Sequence, residues 1–186
     1  MTSQTIFFIV CLVCSFLICA FATRKLIPVL KSLKMGQKIL DIGPRWHKGK
    51  EGTPTMGGLA MLISAFITGL GVIIYCIYND GLALNVKLIC TVVMALLYGA
   101  IGIIDDRVKL LKKQNEGLTA KQKYLLQLVI AGLYLAALAL TDNLSTVLHI
   151  PFTSLELDLG YFYYIFALIL ITGIVNAANL TDGIDG

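Results

Sequence analysis

The sequence predicts an all-α polytopic membrane protein with five transmembrane helices, and three observations carry that prediction. Hydrophobic residues make up 58% of the 186-residue chain and charged residues only 14%, where an ordinary soluble domain is roughly half apolar and a quarter charged. The apolar residues gather into five stretches of about 17–22 residues, each enough to cross a hydrocarbon core of roughly 30 Å at 1.5 Å per residue. Fourteen of the fifteen Lys and Arg fall into only two of the segments between those stretches.

The first span is expected over residues 5–23. It is not read as a cleaved leader: no basic residue precedes it, and Arg24 and Lys25 follow it. The second span is expected over 57–78, the third over 86–104, the fourth over 124–140 and the fifth over 161–178. Segments 24–56 and 105–123 hold all the basic residues except Lys87. The positive-inside bias places both segments in the cytoplasm, with the N-terminus outside and 179–186 cytoplasmic again. On the outer side, "YNDGLALN" reads as a turn. Residues 147–160 alternate apolar and polar around Pro151, which predicts a small outer-face β-hairpin. His149 lies there as a surface residue. The whole of 1–186 is read as one transmembrane domain.

The net charge of +4 calls for no nucleic acid, because basic loops beside a bilayer are the ordinary consequence of topology and also attract anionic lipids. The five Cys (11, 14, 19, 76 and 90) all fall in spans without metal-ligand spacing and read as small apolar residues. A transporter or channel needs polar groups near mid-membrane, whereas these spans are nearly free of charge.

The polar chemistry lies in three cytoplasmic segments. In "GIIDDR", Asp105 and Asp106 end the third span, where a helix C-terminus disfavours carboxylates. Two readings are open. The helix continues, with Arg107 and Lys109 offsetting the charge, or the pair is kept for a metal or a diphosphate. In "NLTDGIDG", positions 176, 179, 182 and 185 advance by three and are expected to share roughly one face of a continuing helix, with Gly183 and Gly186 breaking it. Carboxylates and amides so grouped suit Mg²⁺ or a nucleotide; an Asx-rich helix stop is the alternative. In "KGKEGTPTMGG", small residues, hydroxyls and Lys fit phosphate or a base carbonyl, or Thr55 simply caps the second span. In "NEGLTAKQK", Thr119 and Gln122 have the spacing of a capping box, and Lys121 and Lys123 start the helix.

Together, "KEGTPTMGG", "GIIDDRVK…NEGLTAKQK" and "NAANLTDGIDG" resemble the signatures of the phospho-N-acetylmuramoyl-pentapeptide transferases, within the polyprenyl-phosphate N-acetylhexosamine-1-phosphate transferases. The resemblance covers nearly the whole chain. It implies Mg²⁺-dependent transfer of phospho-MurNAc-pentapeptide from UDP-MurNAc-pentapeptide to undecaprenyl phosphate, forming lipid I and UMP in peptidoglycan synthesis. It implies that Asp105 acts on the lipid phosphate and that Asp106 lies beside the phosphates, both as candidate metal ligands. It implies that Lys50 and Thr55 contact the nucleoside and Lys121 the phosphates. Asn179, Asp182, Gly183, Ile184 and Asp185 match the uridine and ribose pocket. A homodimer is implied as well.

The family has ten spans, and its second half supplies a further Asp, the best candidate for direct Mg²⁺ binding, and a His-rich loop. The present chain is therefore expected to be an N-terminal half, inactive when expressed alone. The competing expectations are a related GlcNAc-1-phosphate transferase and a non-enzymatic membrane subunit, which leaves the Asp pair and the Asn/Asp row without a purpose.

Overall fold

The computed structural model describes residues 3–32, 56–81, 85–112 and 117–185. It contains five long helices and one hairpin: α1 (Ser3–Ser32), α2 (Gly58–Asp80), α3 (Val86–Lys112), α4 (Ala120–Leu140), strands β1 (Val147–His149) and β2 (Glu156–Asp158), and α5 (Phe162–Asp185). All five helices are long and apolar enough to cross a membrane. The chain is a polytopic membrane protein.

Several helices run beyond their apolar cores. α1 continues through Arg24, Lys25 and Pro28 to Ser32. At 1.5 Å per residue, 30 residues span about 45 Å, more than the hydrocarbon core, so its last turns stand clear of the lipid. α3 carries on past Asp105 and Asp106 to Lys112. The two carboxylates therefore sit inside a helix and not at its C-terminal end, so the helix continues as one reading expected, and continuation leaves the pair free to serve a metal or a diphosphate. α5 runs through Gly183 to Asp185. Gly183 does not break the helix, contrary to expectation, because a glycine costs an α-helix only about 1 kcal/mol relative to Ala.

The connections follow from local chemistry. α2 stops at Gly81, whose φ of 82° no β-carbon residue adopts easily; its N–H reaches Ile77 O. Asn85 Nδ2 then donates back to the Gly81 carbonyl at 2.7 Å and to the Cys76 carbonyl at 3.2 Å, covering carbonyls that the helix end leaves open. The N-cap position of α2 falls on Gly57, with no side-chain cap; Thr55 lies outside the described residues. α4 begins with the expected capping box: Thr119 Oγ1 accepts from Gln122 N–H, and Gln122 Oε1 accepts from Thr119 N–H. The hairpin pairs Val147 with Asp158, Leu148 with Leu157 and His149 with Glu156. His149 pairs with Glu156 at 3.1 Å on its exposed face.

Each helix packs on its sequence neighbours, and among the described residues no other pair of helices touches. The contacts fix an antiparallel order. Ser64 Oγ donates to the Ser15 carbonyl, and Tyr75 stacks on Phe7 farther along. Gly99 of α3 lies against Leu62 of α2, and Gly69 of α2 against Val92. These small residues let the backbones approach, as membrane helices require. Tyr98 Oη donates to the Gln127 carbonyl, and Tyr134 meets Thr91. The outward surface is covered with exposed Phe, Leu, Ile and Val, which a lipid solvent tolerates and water does not. The alternation brings the C-terminal ends of α1, α3 and α5 and the N-terminal ends of α2 and α4 to one end of the layer.

Candidate active site

The site forms at that shared end, where α3, α4 and α5 meet. Asp105 is the centre, only 7% exposed. Leaving a lone carboxylate so placed costs several kcal/mol, and three donors offset that. The Leu118 N–H donates to Asp105 Oδ1 at 2.8 Å. Lys109 Nζ lies 2.9 Å from Oδ2, one turn along α3. Lys123 Nζ, from α4, lies 3.7 Å from the same oxygen.

Lys109 also reaches Asp106 Oδ1 at 3.2 Å. Adjacent helical positions diverge by about 100°, yet the long Lys side chain gathers both acids onto one ammonium. Lys123 links the cluster to α5 by donating to Asn179 Oδ1 at 3.1 Å. One turn deeper, Asn176 Nδ2 donates to Gln127 Oε1 at 2.7 Å and to the Thr172 carbonyl at 2.8 Å. Gln127 and Thr172 are each 1% exposed. The spacing explains the match: Lys123 and Gln127 are four apart on α4, Asn176 and Asn179 three apart on α5, so each pair sits on one face of its helix.

Not every site residue expected from the sequence joins this cluster. Lys121 is exposed and lies about 200° around α4 from Lys123. Asp182, Gly183, Ile184 and Asp185 belong to the last turns of α5, with their side chains outside the described set. Lys50 and Thr55 are outside the described residues. The expectation that 176, 179, 182 and 185 share a face does not survive a helix that continues to 185. Steps of three fall short of a 3.6-residue turn by about 60° each, so position 185 sits about 180° around the axis from 176. Asn176 and Asn179 face α4. Sequence reasoning gave Lys109 only a charge-offsetting part and Lys123 only a place at a helix start, and it passed over Gln127, Gly117 and Leu118. The signal for Lys109 was present, since it stands three and four residues after the Asp pair.

Two carboxylates, two ammonium groups and an amide make a near-neutral polar cluster at the edge of an apolar layer. Its acids and amide oxygen are hard donors suited to Mg²⁺. Its lysines can exchange a carboxylate for a phosphate oxygen. The arrangement is a polar cluster of both signs at the end of a membrane-spanning helix layer.

Comparison with known proteins gives the class. Residues 88–186 match glycosyl transferase family 4, and the chain belongs to that family. It is similar to proteins named phospho-N-acetylmuramoyl-pentapeptide-transferase. One from Staphylococcus aureus (strain bovine RF122 / ET3-1) is 44% identical over 163 residues, covering 87% of this chain and 49% of the relative. One from Halalkalibacterium halodurans is 42% identical over 175 residues, covering 94% and 52%. One from Shouchella clausii is 39% identical over 189 residues, covering 100% and 55%. The chain spans about half the length of these curated relatives.

Proposed function

We propose that this chain carries part of the active site of a phospho-N-acetylmuramoyl-pentapeptide transferase, facing the cytoplasm of a bacterial inner membrane. The observation that carries the reading is the convergence of Asp105, Lys109, Lys123 and Asn179 from three helices at one end of the layer. Among the described residues, that end also holds Arg24, Lys25, Lys31, Arg107, Lys109, Lys121 and Lys123, and positive-inside bias supports a cytoplasmic face. The names of the relatives and the identities support the same activity.

In the proposed reaction an oxygen of undecaprenyl phosphate attacks the β-phosphorus of UDP-MurNAc-pentapeptide. A new P–O bond forms, the P–O bond to UMP breaks, and lipid I and UMP result. The lipid phosphate lies at the interface and the nucleotide arrives from water, so a site at the helix ends meets both. Asp105 accepts the proton of the lipid phosphate when that group is protonated. Lys109 and Lys123 turn from carboxylate to phosphate oxygens and stabilise the charge that builds on them. Lys121 draws in the donor phosphates. Lys50, Thr55, Asn179, Asp182, Gly183, Ile184 and Asp185 are assigned to the nucleoside.

Asp105 and Asp106 fit Mg²⁺ as ligands, since both already share one cationic neighbour in Lys109. Asp105 and Asp106 would hold the ion, and it would supply charge neutralisation to a diphosphate. The homodimer implied by the resemblance belongs to the same proposal and is checked by native mass spectrometry.

The test is conversion of labelled UDP-MurNAc-pentapeptide to a lipid-linked product by the natural full-length protein in membranes. UDP-GlcNAc serves as competitor. Product from the first donor, blocked by Asp105→Asn, is expected. Preferential use of UDP-GlcNAc assigns the protein to the sister activity instead.

A further inference from the structure

We infer that the turn at Gly117–Leu118 is a latch that sets the orientation of the Asp105 carboxylate, which makes Gly117 a positioning residue for the reaction. The inference deepens the transferase reading and rests on it for its kinetic consequences, although the latch itself is a matter of geometry.

The two oxygens of Asp105 have different partners. Oδ1 accepts from the Leu118 N–H at 2.8 Å, and Oδ2 faces Lys109 and Lys123. A backbone donor cannot rotate away as a side chain can, so Oδ1 is held and Oδ2 is the oxygen presented to the cations. Gly117 lies directly against this group. A β-carbon built on it falls 2.6 Å from the Asp105 carbonyl oxygen and 2.8 Å from Asp105 Cγ, and meets Oδ1 as well. The carbonyl is part of α3 and cannot withdraw without disturbing the helix. Any larger residue at 117 must therefore push the turn outward or rotate the carboxylate. Gly117 is not among the glycines with positive φ. Its requirement is clearance, not a left-handed backbone.

The turn is also fixed from its other side. Thr119 follows at once, and its capping box with Gln122 ties the turn to the first turn of α4. The same helix carries Lys123. The turn that leads into α4 and the first turns of α4 thus supply the backbone donor to Oδ1 and a distant cation to Oδ2, so two of the three donors around Asp105 come from one continuous element, the third being Lys109 of α3. A shift of about 1 Å in a catalytic group is enough to cost on the order of 100-fold in rate.

The experiment compares Gly117→Ala with Gly102→Ala in the natural full-length protein. Gly102 lies on the same α3 helix with open space where its β-carbon would go. Gly117→Ala is expected to lower kcat by about 10- to 100-fold, with KM for the UDP donor within about twofold. Gly102→Ala is expected to stay within about twofold in both. A second measurement needs no turnover: amide hydrogen exchange at Leu118 in the wild type and in Asp105→Ala. Loss of the acceptor is expected to speed exchange at least about tenfold, as for a broken local hydrogen bond. Full kcat in Gly117→Ala overturns the positioning role, as does a rise in KM that accounts for the whole loss. Unchanged Leu118 exchange in Asp105→Ala overturns the latch. A wild-type protein that transfers no sugar phosphate but shows Asp105-dependent protection of Leu118 overturns the transferase reading and leaves the latch standing.

Discussion

Lys123 joins α3, α4 and α5, and Lys123→Met is the sharpest perturbation of the site. Met keeps the length and helix preference of Lys and removes only the charge and its donors. In the folded protein Lys123 Nζ lies 3.1 Å from Asn179 Oδ1 and 3.7 Å from Asp105 Oδ2, with the side chain 20% exposed. At 3.7 Å and an effective dielectric of about 20, the gross Coulomb attraction is about 4.5 kcal/mol. Desolvation of both ions takes back a large part. Asp105 also retains Lys109 and the Leu118 N–H, so the variant is expected to fold. In the proposed transfer the same ammonium meets phosphate oxygens gaining charge, and loss of one such donor is expected to cost about 2–3 kcal/mol, or about 30- to 150-fold in kcat. Lys121→Met removes an exposed charge two residues away. Its effect is expected within about fivefold, mainly on KM, and fading at high salt. Both are measured as initial rates of lipid-linked product formation at two ionic strengths. A Lys123→Met enzyme within twofold of wild type, or a larger kcat loss in Lys121→Met, refutes the assignment of Lys123 to the reacting centre.

Three further outcomes follow from the packing and the hairpin. A double-mutant cycle on Gln127→Leu and Asn176→Leu, read from unfolding in mixed detergent, is expected to give a coupling of about 0.6–1.7 kcal/mol, the range of interhelical hydrogen bonds in membranes; zero coupling removes the α4–α5 bond from the account. Gly99→Ala places a β-carbon 2.6 Å from Leu62 Cδ1, so the melting temperature in detergent should fall by the equivalent of about 1–3 kcal/mol, and an unchanged midpoint shows that Leu62 has room to turn. At the hairpin, the Thr146 hydroxyl and then the Gly160 N–H hold the Asp158 carboxyl below its usual 3.8. A lowered folded value means that this support is fully present above 3.8 and is lost as pH falls through the folded value; Thr146→Val is expected to move the Asp158 carboxyl resonance midpoint upward, and no movement denies the Thr146 bond.

Composition and apolar run length were enough to read the five helices, because lipid leaves few alternatives to a helix for a run of some twenty apolar residues. The capping box at Thr119 and the turn after Asp80 were legible for a similar reason: each depends on residues within a few positions of one another. Helix ends beyond the lipid were less so. Nothing in the hydropathy of "DDRVKLLK" says whether a helix stops at the interface or continues, and that choice decides whether Lys109 meets the acids.

The site depends on a quantity that pattern reading does not contain, the rotational phase of one helix against another. Lys121 and Lys123 are equivalent in composition, and both stand at a helix start that disfavours cations. They differ by about 200° around the axis, so one helix can turn only one of them to α5. The polar groups that share a face choose between them. Gln127 is four residues from Lys123, and a buried Gln must find a partner. The partner is Asn176, and the same register then sets Asn179 beside Lys123. The deeper Gln127–Asn176 contact thus aligns the chemistry above it. The amphipathic phase of α4 was readable in principle from a single buried-type polar residue inside an apolar span.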